Sequence, residues 1–417
     1  MPVSRKRKKS SKSAAAAKAS RRRDHTRRVS LANLVSGWTE AHARRVEAAR
    51  PHARALAESL RESPATGTVL EDELCARLGP LLTELADRPA DGRERLGEPF
   101  TEDDHHIGPE QFAEALADAV AQTGVEPAET GVEPAETGGE HGAERVRAAV
   151  AAILPSPLRE RTGLEMPGPA LGGAVLWTPD RYGTRFAVVA PFAVPDGPIR
   201  WYLWDIDACG IMPLPVHAGF YASPEEALAA WQVGVGPVAA GGTCWREADD
   251  PELLKDVLPA LSGLTALGGE SVEQHAEYLR CRRLAETVVA SLPAHPVPRR
   301  REDLPALAAE WMRRCPDTRD EAIALLDAWP SDVPSLAVGC SPHRVAWTVR
   351  NIRDEYILDE EFADRVLALL PAWVDLLATR NGVVPELVAR ARPYAEGLIH
   401  PDVAPGDRDA HQARVIE

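Results

Sequence analysis

The chain has 417 residues, of which 44% are hydrophobic and 27% are charged. This composition is typical of a globular protein of two or three domains and excludes fibrous, collagenous and wholly disordered classes. No stretch approaches the roughly 18 uninterrupted apolar residues of a transmembrane helix, so we expect no membrane span. The net charge of −15 conceals a strong asymmetry between the start of the chain and the remainder.

Residues 1–28 form a basic, low-complexity arm. They hold 12 Lys or Arg and one acid, a net charge of +11, whereas the remaining 389 residues carry a net charge of −26. Too few apolar side chains are present to offset the entropy of ordering, so we expect the arm to be disordered. Its charge favours contact with nucleic acid or another polyanion. The side chains expected to make that contact are Arg5, Lys6, Arg7, Lys8, Lys9, Lys12, Lys18, Arg21, Arg22, Arg23, Arg27 and Arg28.

Lysine usage sharpens the interpretation of the arm, because five of the six lysines lie in the first 18 residues. Three other roles stay open at this point. The arm can be a solubility device, it can fold back on its own acidic body, or it can dock onto an acidic protein partner. Contact with nucleic acid would run through phosphates and show little sequence preference.

The six cysteines predict a reducing compartment, because none of them forms a CxxC pair. The basic start of the chain lacks the apolar region of a signal peptide. Isolated thiols without an export signal favour a cytoplasmic protein. From the spacing of its His, Cys and acidic residues we expect neither a cofactor nor a metal ion.

Residues 29–122 show helical patterning, with helices predicted over 30–60, over 70–85 and from Gly108-Pro109 onward. Pro51 is expected to kink or split the first of these helices. The heptapeptide TGVEPAE then occurs twice over 123–136. Glycine and proline in each copy oppose a helix, so we predict a flexible linker over 123–142 and a domain boundary there.

The sequence pattern of residues 143–292 predicts an α+β domain that begins with a helix near 143–154. Four strands are expected in an antiparallel meander, because β-branched and aromatic runs alternate with turn residues. Their predicted ranges are 173–178, 184–193, 199–206 and 215–220. Ser223, Pro224 and Glu226 give three agreeing signals for a helix start. The residues expected in the core are Phe186, Val188, Leu203, Ile206, Leu228 and Trp231.

Residues 293–417 predict a helical domain. Capping boxes are expected at Ser271–Gln274, before this domain, and at Thr318–Glu321 within it. The predicted helices cover 303–315, 318–329, 341–354, 359–379 and 384–396. The whole chain is therefore predicted to be α+β: a small antiparallel sheet with a packed helix, flanked by mostly helical N- and C-terminal regions.

Asp205-Ile206-Asp207 ends a hydrophobic strand. This D-x-D pattern resembles the first motif of haloacid-dehalogenase-type phosphotransferases, in which one carboxylate attacks phosphorus and both hold magnesium. The chain departs from that family, because hairpin signals surround the strand and Ala208-Cys209 stands where Gly-Thr is usual. The only later lysine, Lys255, follows its acidic pair instead of preceding one. We therefore favour a solvated strand end.

Three further groupings have a chemical and a structural interpretation, and we favour the structural one for each. Cys340 at a helix start near His343 can be a nucleophile or a buried thiol. Residues 103–106, Asp-Asp-His-His, can bind metal or precede a helix N-terminus. The spacing of Ala378, Gly382 and Val388 suits a helix-turn-helix that would present Arg390 and Arg392, or a plain αα-hairpin.

Two stretches carry a resemblance: RWYLWDIDACG at 200–210 and SPEEALAAWQVGVGPVA at 223–239. They resemble conserved hypothetical proteins of high-GC actinobacteria such as streptomycetes. The resemblance implies a bacterial cytoplasmic protein. It transfers no reaction, ligand or catalytic residue to this chain.

The functional prediction follows from the absence of any acid–base pair or nucleophile with supporting spacing. We predict a non-enzymatic binding or interaction protein that contacts nucleic acid through the basic arm. The alternative is an enzyme whose site is assembled from distant residues around Asp205, Asp207 and His217.

Overall fold

The computed structural model describes residues 39–86, 107–122, 138–156, 158–163, 169–193, 197–210, 213–248, 251–259, 271–292, 304–329 and 338–402. Over these ranges the protein has the predicted α+β fold, a small antiparallel sheet among many helices. The basic arm, the TGVEPAE repeats and residues 103–106 lie outside the described residues. No helix within the described ranges has the length and apolar character needed to cross a membrane.

The N-terminal helices share one hydrophobic core with part of the later chain. They are α1 (39–61), α2 (Gly67–Ala86), α3 (Pro109–Gln122), α4 (Gly138–Ile153) and α5 (Leu158–Arg161). Helix α1 continues through Pro51 without a break. The expected split is therefore absent, and the proline is accommodated with its side chain exposed on the outer surface. Segments from both sides of the predicted linker contribute to this core, and the domain boundaries stay a prediction.

The sheet contains six strands with neighbours in the order β5-β4-β3-β2-β6, and β1 pairs with β3. Every pairing is antiparallel. Strands β3 and β4 have Phe186 opposite Ile206 and Val188 opposite Trp204, which agrees with the predicted meander. The strands are β1 (Ala170–Leu171), β2 (Leu176–Pro179), β3 (Arg185–Ala193), β4 (Arg200–Asp207), β5 (Leu214–Tyr221) and β6 (Arg246–Glu247).

The two faces of the sheet pack against different elements because side chains alternate along each strand. One face, with Val188 and Trp204, joins the core of α1–α4 and of α9 (Val272–Ser291). The other face, with Val189 and Leu203, packs on α6 (Pro224–Val235) and α7 (Pro237–Ala240). A short helix, α8 (Pro251–Val257), precedes α9. Of the predicted core residues all are buried except Leu228, which is partly buried against the second face.

Several helix ends follow the predicted chemistry. Ser223 caps α6, where its hydroxyl accepts a hydrogen bond from the Glu226 N–H. Ser271 and Gln274 form the expected capping box at the start of α9. Thr318 makes no side-chain capping bond, so the second predicted box is wrong: the Glu321 carboxylate instead accepts a hydrogen bond from Arg365, 2.9 Å away.

The C-terminal helices enclose a core of their own. The single helix predicted over 359–379 is in fact two, because Pro371 lies in the first turn of the second helix and cannot donate a backbone hydrogen bond. Gly382 adopts a left-handed φ of 65° and closes the αα-hairpin that follows. The helices are α10 (Leu304–Arg314), α11 (Arg319–Ala328), α12 (Pro342–Glu355), α13 (Glu360–Leu367), α14 (Leu370–Asn381) and α15 (Pro385–Ala395).

Candidate functional site

A buried polar network lies where the end of β4 meets the β2–β3 loop and the start of α12. It gathers side chains from segments that are more than 150 residues apart, counted from Asp180 to Ser341. We call it the β4-end network. It comprises Asp180, Arg185, Asp205, Asp207, Cys209, Ser341, His343 and Arg344, which are all buried apart from the nearly buried His343.

Arg185 and Asp205 form the centre of the network. The Arg185 Nε donates to Asp205 Oδ1 at 2.6 Å, and its Nη2 contacts the second carboxylate oxygen. The indole N–H of Trp231 donates to Asp205 Oδ1 at 3.0 Å. Both charged side chains are under 10% exposed, so the pair depends on this bidentate geometry to offset its desolvation.

The β2–β3 loop is held by Asp180, whose Oδ1 accepts hydrogen bonds from the backbone N–H groups of Thr184 (2.8 Å) and Arg185 (3.1 Å). Gly183 in this loop has φ of 70°, a left-handed conformation that favours glycine. Gly339 approaches the loop so closely that an added Cβ would lie 2.6 Å from the Gly183 carbonyl oxygen. The loop and the segment before α12 are therefore packed backbone to backbone.

Arg344 joins the C-terminal helices to the end of β4. It is fully buried and donates to the carbonyl oxygens of Gly339 (2.9 Å), Cys209 (3.4 Å) and Ala208. Arg344 thus provides hydrogen-bond donors for the carbonyl groups that directly follow β4. This arrangement fixes the Ala208–Cys209 backbone against the first turn of α12.

The remaining members of the network surround the Cys209 thiol. Asp207 Oδ1 accepts a hydrogen bond from the Cys209 N–H at 2.7 Å. The Cys209 Sγ lies 3.1 Å from the Ser341 Oγ, and Ser341 also caps α12 through the Arg344 N–H. Asp207 Oδ2 lies 3.9 Å from His343 Nδ1. A carboxylate, a thiol and an imidazole therefore converge on one small volume.

Burial and neighbouring carboxylates shift the pKa values of the basic groups in the network in opposite directions. Burial lowers the pKa of Arg185, but the carboxylates of Asp205, Asp207 and Asp180 together more than offset it, so the pKa lies above its usual value. Burial also lowers the pKa of His343, and Asp207 only partly opposes this effect. The His343 imidazole is therefore neutral at neutral pH, whereas Arg185 carries its charge.

The residues of the predicted enzyme alternative have different side-chain partners in the structure. Asp205 is held by Arg185, while the exposed His217 on β5 contacts the Tyr221 hydroxyl at 2.9 Å through its Nε2. His217 is in register with Asp205, yet Asp207 approaches His343 instead. The antiparallel sheet also removes the context of the phosphotransferase motif, and neither aspartate is a solvated strand end.

Sequence reasoning missed the grouping of Asp207 and Cys209 with His343, because Cys209 and His343 are 134 positions apart in the chain. Cys340, which the sequence offered as a thiol beside His343, is fully buried. Burial raises the pKa of Cys340 to about 12, which agrees with the inert thiol that we favoured. The basic residues predicted to bind nucleic acid lie in 1–28, outside the described residues.

No family model matches this chain, and comparisons with curated proteins and with solved structures also return no match. The resemblance to actinobacterial proteins therefore gains no support from them. Function has to be argued from the residues and contacts of this chain alone.

Proposed function

We propose that this protein is a non-enzymatic binding protein that contacts nucleic acid through residues 1–28. The observation that carries the proposal is the separation of charge along the chain, +11 in the arm against −26 in the remainder. A flexible basic segment attracts a phosphate backbone by releasing condensed counterions, and it needs no folded groove. The cytoplasmic compartment that the sequence predicts gives such an arm access to nucleic acid.

The ion pairs of the body support this assignment. Exposed arginines of several helices are drawn to carboxylates of the same body: Arg161 to Glu114, Arg380 to Glu310 and Arg392 to Asp375. Arg392 belongs to the hairpin that the sequence offered as a helix-turn-helix, and it also contacts Glu396. These guanidinium groups are already engaged, so the arm is the better source of cations for a polyanion.

The rival proposal, an enzyme with a site around Asp205, Asp207 and His217, draws less support. Asp205 is closed off by Arg185 and Trp231. A carboxylate held in this way by a buried guanidinium is a poor general base, since its lone pairs are already used. We therefore retain the binding function as the conclusion.

The test is a salt-titrated binding assay with duplex DNA and single-stranded RNA of mixed sequence, using the full chain and a variant that lacks residues 1–28. If about half of the 12 positive charges are engaged, affinity falls by about three decades between 50 and 200 mM salt. Deletion of the arm abolishes binding, whereas deletion of residues 403–417, which are of mixed charge, leaves it unchanged.

Two results would contradict the proposal. Binding that survives removal of the arm would place the contact in the body, with the α14–α15 hairpin as the next candidate. No binding by either form would leave the arm as a solubility device or as a docking segment. Circular dichroism of the shortened protein serves as the control, since loss of the arm is expected to leave the body folded.

A further inference from the structure

The Asp207, Cys209 and His343 side chains form a group with the donor chemistry of a metal site. Their candidate ligand atoms, one carboxylate oxygen, Sγ and one imidazole nitrogen, all lie within 4.8 Å of one another. Asp207 and Cys209 come from the end of β4, and His343 comes from the first turn of α12. The group therefore bridges the sheet and the C-terminal helices.

The separation of Asp207 Oδ2 from His343 Nδ1, 3.9 Å, is longer than a hydrogen bond. Two ligands that each lie about 2.1 Å from a tetrahedral zinc ion are themselves roughly 3.4 Å apart. The observed spacing is about half an ångström longer than that value. An ion between the two groups thus requires only a small closure of the side chains.

Neighbouring contacts already orient the ligands. The second oxygen of Asp207 accepts the Cys209 N–H at 2.7 Å, and the Ser341 hydroxyl lies 3.1 Å from Cys209 Sγ. Arg344 anchors the carbonyl of Cys209. Such outer contacts fix the direction of ligand atoms and commonly raise metal affinity.

The local charge also permits a cation. The positive charges of Arg185, Arg344 and Arg350 act on His343 and oppose the binding of a cation there. Three buried carboxylates, those of Asp180, Asp205 and Asp207, oppose these arginines. On metal binding the S–H bond of Cys209 breaks, a sulfur–metal bond forms and the proton passes to the buffer, which adds a fourth negative charge.

We propose that Asp207, Cys209 and His343 bind one Zn²⁺ ion, completed by one non-protein ligand, and that this ion fastens α12 to the end of β4. A thiolate with an imidazole and a carboxylate suits zinc and disfavours Mg²⁺ or Ca²⁺, which prefer all-oxygen sites. This inference departs from the sequence analysis, which expects no metal. It is independent of the nucleic-acid proposal, because it uses no residue of the arm.

The experiment uses the full chain without an affinity tag, freed of metal by chelation and titrated with Co²⁺ and then with Zn²⁺. We expect one Co²⁺ per chain, tetrahedral d–d absorption and a thiolate-to-cobalt charge-transfer band, all displaced by one equivalent of Zn²⁺. Cys209→Ser removes the charge-transfer band. Cys244→Ser, a matched change at an exposed cysteine, retains it.

His343→Asn provides a second test of the zinc site that leaves the thiol in place. The His343 side chain lies at the edge of the network and is 12% exposed. Loss of this ligand is expected to weaken Zn²⁺ binding by more than about 100-fold. Circular dichroism establishes that each variant is folded. The proposal is overturned if the unmodified chain binds no Co²⁺, if Cys244→Ser rather than Cys209→Ser loses the band, or if a folded His343→Asn binds Zn²⁺ as tightly as the unmodified chain.

Discussion

The two faces of the sheet are built on the same strands yet bury different chemistry. Toward α9, β4 presents the uncharged side chains Tyr202, Trp204 and Ile206, which join the apolar core, and the Tyr202 hydroxyl also donates to Glu277 at 2.7 Å. On the other face, toward α6 and α7, the same strand presents Leu203 and then Asp205 and Asp207, and its end meets the start of α12. The first face gains stability roughly in proportion to buried apolar area, whereas the second depends on a few specific partners.

This difference has a consequence for tolerance to substitution. An apolar face can relax around a lost contact, so the cost is graded with the volume removed. When the partner of a buried charge is removed, no other group takes its place. The loss of folding free energy from that one substitution is therefore large. Single substitutions on the two faces should therefore differ in size, and the predictions below test that expectation.

The largest effect is expected for Arg185→Leu, which leaves the buried Asp205 carboxylate without its bidentate partner. The free energy of unfolding should fall by about 3–5 kcal/mol. Chemical denaturation followed by circular dichroism measures this change. The double variant Arg185→Leu/Asp205→Leu should lose less than the sum of its single changes, because neither charge is then left alone.

The matched control for this pair is Arg392→Leu, whose partner Asp375 is nearly half exposed. An exposed ion pair contributes less than about 1 kcal/mol. Equal losses for Arg185→Leu and Arg392→Leu would refute the contrast between the buried network and the surface.

An intermediate effect is expected on the apolar face for Trp204→Phe. The indole N–H donates to the Cys281 carbonyl at 3.0 Å, and its removal together with part of the ring should cost about 1–3 kcal/mol. Trp177→Phe is the comparison, because Trp177 packs against the same core and its Nε1 has no hydrogen-bond partner among the described residues.

Thermal or chemical unfolding of the two tryptophan variants measures their free energies of unfolding. The difference between them separates the contribution of the hydrogen bond from that of the lost ring area. Trp204→Phe should be the less stable of the two. If Trp177→Phe is equally destabilised, the bond to Cys281 contributes nothing, and this face is apolar in its energetics throughout.

The smallest effect concerns Glu71 on α2. Burial raises the pKa of Glu71, Asp72 adds to this, and Arg280 and Arg200 oppose it. The folded protein therefore binds a proton at Glu71 more readily than the unfolded chain, and stability rises as pH falls from the raised pKa towards the ordinary value of 4.5. Above that window the charged carboxylate is disfavoured in the folded state.

Glu71→Gln should accordingly raise the free energy of unfolding at pH 7 by less than about 1 kcal/mol, and the gain should shrink at pH 4. Denaturation curves at several pH values between 4 and 8 measure it. Glu58→Gln, at an exposed position of α1, is the control and should change neither value. A loss of stability at pH 7 in Glu71→Gln would mean that Arg280 and Arg200 outweigh burial.

The sequence by itself determined the elements whose signals are local. Turn residues between β-branched and aromatic runs indicated the antiparallel meander, and Ser223 and Ser271 marked helix starts that the structure confirms. These signals are read within a few residues, so no long-range information is needed. The expected split at Pro51 is absent, and the capping box at Thr318 does not form because Glu321 accepts a hydrogen bond from the distant Arg365.

Only the tertiary structure decided which distant side chains meet. A solvated strand end was expected for Asp205 and Asp207 because the sequence around them departs from the phosphotransferase motif. Folding instead places Arg185 and the start of α12 against the end of β4. His217, although in register with Asp205, bonds Tyr221, and His343 takes the position beside Asp207. The contact between Asp207 and His343 depends on how the C-terminal helices pack against the sheet. These residues are more than a hundred positions apart, so no local sequence pattern predicts the contact.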